Sequence, residues 1–327
     1  MKICVTGGAG MIGSSLVKKL VEDKHEVKVI DNLWRGKLEN LKVENKNLID
    51  LKHDFFDIDL NNPSNVSKVK EIIGEVDIVI HLADIVAGIG YVFDKQYEIF
   101  KINNSINTNL FTAASKSKIK KLIYVGTACS FPLELQNGLD SQLNHDDLYP
   151  ANPESAYGWS KLIGQLELKY LAETVDFEIN TLMLHNVYGT NCEFEGERTQ
   201  VIPSIINRII EAKDGDIIDV WGSGEQGRGF IHVNDVVKGI NKCLYRSNLP
   251  EYMQIGPDKC TSINELVENL INISGKRLKI HYDTTKPEGD KGRFANYQLA
   301  KEKIDWEPTI SLYEGLKETY DWIKSKK

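Results

Sequence analysis

The chain has 327 residues, 41% of them hydrophobic, and a formal net charge of −7. That length and composition can bury a large core in one big or two modest domains and exclude a disordered chain. The acidic balance, with no lysine or arginine stripe, argues against a nucleic-acid partner, and no apolar run reaches the length of a membrane span.

The first element is a short β-branched run from Lys2 that leads into Gly7, Gly10 and Gly13, then the helical pattern Leu16, Val17, Leu20, Val21. It reads as a strand, a tight turn and a helix opened by Met11 and Ile12. The glycines let the backbone approach a pyrophosphate, and the helix N-terminus supplies unpaired N–H groups and the positive end of its dipole. A second strand, Glu26 to Asp31, ends in a carboxylate followed by Asn32. Asp31 fits an acceptor for adenosine ribose hydroxyls and repels a 2′-phosphate, so the expected cofactor is NAD rather than NADP. A third strand is expected over 48–54; its last residue, Asp54, is a candidate contact for the adenine amino group, and as a lone Asp after a strand it reads more readily as a turn residue.

Strands near 76–83 and 120–127 then alternate with helices near 64–73, 97–116 and 154–174. This pattern predicts an α/β fold, a Rossmann-like doubly wound parallel sheet covered on both faces. A strand from Glu178 to His185 leads into Asn186-Val-Tyr-Gly189, after which loops at 189–200 and 214–229 and helices near 262–274 and 312–324 suggest a smaller lobe. The segment Gly229 to Asp235 reads as a return to the main sheet. The expected division is 1–185 plus about 229–257 for the cofactor domain, and 186–228 plus about 258–327 for a C-terminal substrate-binding lobe.

The chemistry centres on Ser155-Ala-Tyr-Gly-Trp-Ser-Lys161, which places Tyr157 and Lys161 four residues apart on one helix face. An ammonium beside a phenol favours phenolate, so Lys161 is expected to lower the Tyr157 pKa from about 10 toward the range of a useful base. The five cysteines contain no C-x-x-C and the seven histidines no ligand spacing, so neither a disulfide scaffold nor a metal is expected. The N-terminus runs straight into a strand, from which a cytoplasmic protein is expected.

Taken together, the Gly7/Gly10/Gly13 loop, Asp31, His81-Leu82-Ala83, Thr127, Tyr157-x-x-x-Lys161, Asn186-Val-Tyr-Gly189, Trp221-Gly-x-Gly224 and Arg228-x-Phe-Ile-His-Val resemble the extended short-chain dehydrogenase/reductases that remodel nucleotide sugars. The resemblance runs from Met1 to about Trp322. It implies that Leu82 and Ala83 border the cofactor and that Thr127 hydrogen-bonds the sugar 4-hydroxyl. It further implies that Tyr157 removes the hydroxyl proton while Lys161 grips the nicotinamide ribose. Oxidation at C4 then acidifies neighbouring C–H bonds, opening routes to epimerisation or dehydration.

Within that family the pattern is most similar to the GDP-mannose 3,5-epimerase branch, with GDP-fucose synthases next. Ala83 to Gly90, including Gly88, resembles a glycine-rich loop over the substrate, and Thr127 to Pro132 resembles the segment carrying a cysteine acid/base, here Cys129. Pro287-Glu-Gly-x-x-x-Gly-Arg293 matches the branch's C-terminal segment. Arg228 and Arg293 match residues that clamp the diphosphate, and Asn186 fits the same site. The implied substrate is a GDP-linked sugar and the implied assembly a homodimer. One departure concerns the second acid/base: the loop after the Asn186 motif carries Glu195 where the branch has lysine and Gln200 where the synthases have histidine. Simple C4 oxidation, C4 epimerisation or dehydration therefore stays open. A regulator that binds NAD without chemistry is expected to lose Thr127, Tyr157 or Lys161, and this chain keeps all three.

Overall fold

The computed structural model describes residues 1–286 and 288–327. Pro287, which opens the segment leading to Arg293, lies outside the described residues. Seven strands form one sheet: β1 (Lys2–Thr6), β2 (Glu26–Asp31), β3 (Phe55–Asp57), β4 (Ile78–His81), β5 (Lys121–Thr127), β6 (Glu178–Leu184) and β7 (Tyr252–Ile255). Their spatial order is β7-β6-β5-β4-β1-β2-β3, and every ladder is parallel. Such strands are buried on both faces, which is why Ile3, Val5, Val79, Ile80, Leu122 and Ile123 form near-continuous apolar runs.

Among the described residues ten α-helices follow in chain order: α1 (Met11–Glu22), α2 (Val66–Ile73), α3 (Ile89–Asp94), α4 (Gln96–Ser115), α5 (Ala156–Ala172), α6 (Val201–Glu211), α7 (Val233–Leu244), α8 (Ile263–Ser274), α9 (Gln298–Ile304) and α10 (Leu312–Ser325). Leu16, Val17 and Leu20 of α1 share one core with Val236, Val237 and Ile240 of α7 on one sheet face. Val69 and Ile72 of α2 and Leu110 and Phe111 of α4 fill the other. The alternating pattern thus yields a doubly wound Rossmann fold, and the strand order reverses between β1 and β4, where open α/β sheets form their crevice.

Three expectations are corrected. The third strand is Phe55–Asp57 rather than 48–54. Asp50 turns the chain there, its backbone oxygen accepting from the amides of His53 (3.2 Å) and Asp54 (2.8 Å). Asp54 therefore stands at the amino end of β3, the edge of the sheet away from the crevice, and cannot meet an adenine there. Phe230–His232 does not return to the main sheet but pairs with Asn186–Tyr188. His232 caps α7 immediately, its Nδ1 accepting from the Asn234 amide at 3.4 Å, so the return is made one helix later by β7 beside β6. Finally, the lobe boundary is crossed twice. Asn137–Leu143 joins a four-stranded sheet with Gly292–Ala295, Gly227–Arg228 and Thr261–Ser262, while Ala300, Ile304 and Trp306 pack into the core of the main sheet. Among the described residues no helix is long and apolar enough to cross a membrane.

Candidate active site

A cleft of about 430 Å³ opens at the carboxyl ends of β1, β2, β4 and β5. Its floor is the glycine loop. Gly7 has φ +69, a conformation glycine adopts without strain, and a Cβ there would lie 2.9 Å from the Ala83 amide nitrogen. At Gly13 a Cβ would come within 2.1 Å of the Gly7 carbonyl oxygen. Gly10 is the N-cap of α1 and offers no side chain to its first-turn amides. Those amides, at Met11, Ile12 and Gly13, line the cleft and suit an anion. Asp31 at the end of β2 accepts from the amides of Ala9 (2.9 Å) and Leu33 (2.8 Å). Burial pushes its carboxyl above its ordinary value and those amides oppose the shift. Two hydrogen bonds leave lone pairs on a carboxylate for ribose hydroxyls. The cradle thus fits a dinucleotide. Asn32, Leu82 and Ala83 line the cleft, as do Ile58, Asp59, Leu60 and Asn61 beyond β3, whereas Asp54 does not.

Deeper in the cleft β5 delivers Thr127 and the start of α5 delivers Tyr157. Ser155 caps α5, accepting from the Gly158 amide at 3.3 Å, which fixes the first turn that carries the phenol. Among the described residues no hydrogen bond joins Lys161 to the Tyr157 hydroxyl. Burial and then the Asp84 carboxylate hold the Tyr157 phenol well above its ordinary value, with Thr127 opposing. The Tyr157 hydroxyl donates to Asp84 Oδ2 at 3.3 Å. Lys161 Nζ pairs with the same oxygen at 3.2 Å and lies 4.6 Å from the centre of the Tyr124 ring. Lys161 is 2% exposed and stays charged: burial works against it, but Tyr124 and Asp84 raise its pKa. Asp84 was not foreseen, although a carboxylate three residues past His81 at the switch point was visible. His81 itself is buried, hydrogen-bonded to Thr6 Oγ1 at 2.7 Å, and pushed down to about 3 by burial and Lys161. It is a neutral strut.

Cys129 follows Thr127, whose Oγ1 accepts from the Cys129 amide at 3.2 Å. Arg293 Nη2 donates to Cys129 Sγ at 3.1 Å, and its Nη1 donates to Gln136 Oε1 and Asp290. Burial disfavours this guanidinium, yet Asp290 and Cys129 outweigh it and hold its pKa above the ordinary value. Arg293 is therefore already engaged at the cysteine, where a diphosphate clamp was expected. Arg228 pairs with Asp290 Oδ1 at 3.0 Å and lines both this cleft and a neighbouring one, also of about 430 Å³. Asn186 and Gln200 line both as well, and Trp221, Gln226 and Arg208 line the second.

Gly88 faces the second cleft. A Cβ there would lie 2.4 Å from the Thr199 carbonyl oxygen, so only glycine lets the loop after β4 meet the loop after Asn186. Arg198 Nη1 ties that loop to the Trp34 carbonyl at 2.6 Å, and Arg35 pairs with Glu193 at 3.4 Å. Glu193 lines the cleft, whereas Glu195 is exposed and lines neither. Glu195 is no acid/base in this arrangement.

Residues 3–256 match the model of the NAD dependent epimerase/dehydratase family. Over 326 residues the chain is 31% identical to GDP-mannose 3,5-epimerase 1 of Oryza sativa subsp. indica, covering all of this chain and 82% of that protein. It is 32% identical over 323 residues to a putative UDP-glucose 4-epimerase of Methanocaldococcus jannaschii, covering 99% of this chain and 98% of that one. Among solved structures, UDP-glucuronic acid 4-epimerase from Bacillus cereus in complex with UDP-glucuronic acid and NAD superimposes with a TM-score of 0.84 at 26% identity, covering the whole of both chains. On a Rossmann sheet with a dinucleotide cradle and a Tyr157/Lys161 pair, these similarities make the chain an NAD-using enzyme that belongs to the NAD-dependent epimerase/dehydratase family.

Proposed function

We propose that the protein epimerises a nucleotide-linked sugar through transient oxidation at C4, with a GDP-linked manno-configured sugar as substrate. The observation that carries this reading is the convergence of Thr127, Tyr157 and Cys129 on one cleft that also contains the glycine cradle. NAD, when bound, supplies the acceptor for the hydrogen leaving C4. Met11, Ile12 and Gly13 hold its pyrophosphate, Asp31 its adenosine ribose and Lys161 its nicotinamide ribose. Thr127 orients the sugar hydroxyl, Tyr157 handles its proton, and Cys129 faces a carbon next to C4. Full-length similarity to GDP-mannose 3,5-epimerases supports the sugar and base; the UDP-sugar 4-epimerase relatives support a second reading, inversion at C4. A panel of GDP-mannose, UDP-glucose and UDP-glucuronic acid incubated in deuterated water, read by proton NMR and mass spectrometry, separates them. GDP-mannose is expected to turn over; conversion of UDP-sugars alone rejects the first reading.

Two further results are expected. NAD should bind more tightly than NADP, because Asp31 meets a 2′-phosphate with like charge; tighter NADP binding in a fluorescence titration rejects that role. Arg228→Ala should weaken GDP by about 1.5–3 kcal/mol, the scale of a charge-assisted contact, and unchanged calorimetric affinity moves the diphosphate elsewhere. The chain is also inferred to dimerise through α5, where Trp159, Leu166 and Tyr170 are exposed at helical spacing, with Tyr97 exposed on α4, the helix packed against α5. A monomer by light scattering would reject this.

A further inference from the structure

Tyr124, in the middle of β5, takes no part in the steps above, yet it is fully buried and touches Lys161 twice. Its ring centre lies 4.6 Å from Lys161 Nζ, which sits over the ring face, and its hydroxyl donates to the Lys161 backbone carbonyl at 3.3 Å. One side chain thus holds both ends of the same residue, the ammonium and the helix turn that carries it. The sequence of α5 makes room for this. A Cβ at Gly164 would come within 2.7 Å of the Tyr124 hydroxyl and 2.5 Å of Asn107 Nδ2, so a larger residue there would push the hydroxyl off the helix.

The hydroxyl is itself fixed by a buried chain of hydrogen bonds in which donors and acceptors match. Asn107 Nδ2 of α4 donates to Tyr124 Oη at 3.3 Å, which leaves the proton of that hydroxyl for the Lys161 carbonyl. Asn107 Oδ1 accepts from His81 Nε2 at 3.1 Å, His81 Nδ1 accepts from Thr6 Oγ1 at 2.7 Å, and Thr6 Oγ1 accepts from the amides of Leu82 and Ala83, both at 3.2 Å. This order of donors and acceptors assigns His81 as the neutral tautomer protonated at Nε2. A buried chain satisfied at every member is rigid. It runs from the strand ends that border the cofactor cradle to the backbone of Lys161.

An aromatic face attracts a cation through its quadrupole and takes up no N–H donor in doing so. That matters for an ammonium, which has three donors and no acceptor. Lys161 pairs with Asp84 Oδ2 at 3.2 Å, and the ring supports the charge while leaving the remaining donors free. We propose that Tyr124 is the positioning residue of Lys161: its ring carries the ammonium and its hydroxyl fixes the turn, so that the lysine meets the nicotinamide ribose with donors to spare. This deepens the C4-oxidation reading and rests on it for the role of Lys161. Tyr124 lines neither cleft and acts through Lys161 alone.

The test weakens the ring face without changing its shape. Tyr124 is replaced by phenylalanine and, by amber suppression, by 4-fluoro-, 3,5-difluoro- and 3,4,5-trifluorophenylalanine, whose faces attract a cation progressively less. Two quantities are read on the full chain: the NAD dissociation constant by fluorescence titration without sugar, and single-turnover NADH formation from GDP-mannose or UDP-glucose at saturating NAD. Tyr124→Phe should weaken NAD about threefold, the scale of one lost hydroxyl hydrogen bond. Both quantities should then worsen in the order of fluorine content, by about fivefold or more at the trifluoro ring. An NAD affinity flat within about twofold along the fluorine series overturns the proposal, because a ring that only fills space goes on filling it. Graded affinity with an unchanged turnover rate overturns it as well, since the lysine so positioned would have no part in the reaction. Graded affinity in a protein that oxidises neither sugar upholds Tyr124 and rejects the C4-oxidation reading instead, so the two failures are distinguishable. Tyr124→Leu, with melting curves to confirm folding, is the second variant. It should bind NAD at least as weakly as the trifluoro ring, and affinity at the phenylalanine level overturns the proposal.

Discussion

Replacing Tyr157 with phenylalanine should lower substrate-driven NADH formation by about 10²–10⁴-fold, the range associated with losing a positioned proton-transfer group. The hydroxyl is the only atom removed, and it takes with it the hydrogen bond to Asp84 at 3.3 Å. The ring remains in a pocket with Ile85, Val92 and Ile99, so the fold should be kept. Binding of the nucleotide sugar should change little, because the effect belongs to the transition state rather than the ground state. Stopped-flow absorbance of NADH and calorimetry with the same sugar nucleotide measure the two quantities. Wild-type rates in the variant would remove Tyr157 from the chemistry. A large loss of affinity with an unchanged single-turnover rate would make it a binding residue.

How much of this site could be read from the sequence depends on the range of the forces involved. The glycine cradle was legible because its constraint is local: a positive φ at Gly7 and the closeness of Gly13 to the Gly7 carbonyl act within one turn of chain. Tyr157 and Lys161 were legible by helical spacing, which fixes a shared face but not the contacts each side chain makes. The spacing suggested that the ammonium acts on the phenol. In the fold a carboxylate 73 residues away occupies the position between them, and nothing in the periodicity of either segment encodes that meeting. The same holds for Arg293, whose motif implied phosphate but whose guanidinium meets Cys129 and Asp290 across the small sheet. The missed third strand has a different cause. Leu48, Ile49 and Leu51 look like a strand because they are apolar, yet they pack as a turn against the core under α1, and the real edge strand spans only Phe55–Asp57. Short edge strands carry too few residues for their alternation to be distinctive.

The Cys129→Ser variant should keep NAD reduction and lose solvent deuterium from the ring carbon next to C4. Oxidation at C4 makes an adjacent C–H acidic, and a thiolate near that carbon can remove its proton, a task for which cysteine, ordinarily titrating near about 8.5, is far better suited than serine. The surroundings favour such a role over that of a small buried hydrophobe. Cys4 and Cys243 are enclosed, and burial pushes each thiol up to about 12; Cys129 is partly exposed, lines the cleft and receives a hydrogen bond from Arg293 at 3.1 Å. A buried cation with its pKa held high is a fixed positive charge beside the sulfur. Arg293→Lys should therefore slow labelling too, because an ammonium cannot engage Cys129, Gln136 and Asp290 together as the guanidinium fork does. One labelled carbon is expected rather than two, since Glu195 is exposed and outside the cleft and Gln200 cannot transfer protons. Wild-type enzyme in deuterated water, analysed by proton NMR of the recovered sugar, gives the reference. Deuterium at C3 or C5 in the wild type, absent in Cys129→Ser while NADH still forms, assigns the second proton transfer to this thiol. A C4-inverted product with no deuterium at any ring carbon would end the 3,5-epimerase reading and leave the C4 chemistry of Tyr157 intact.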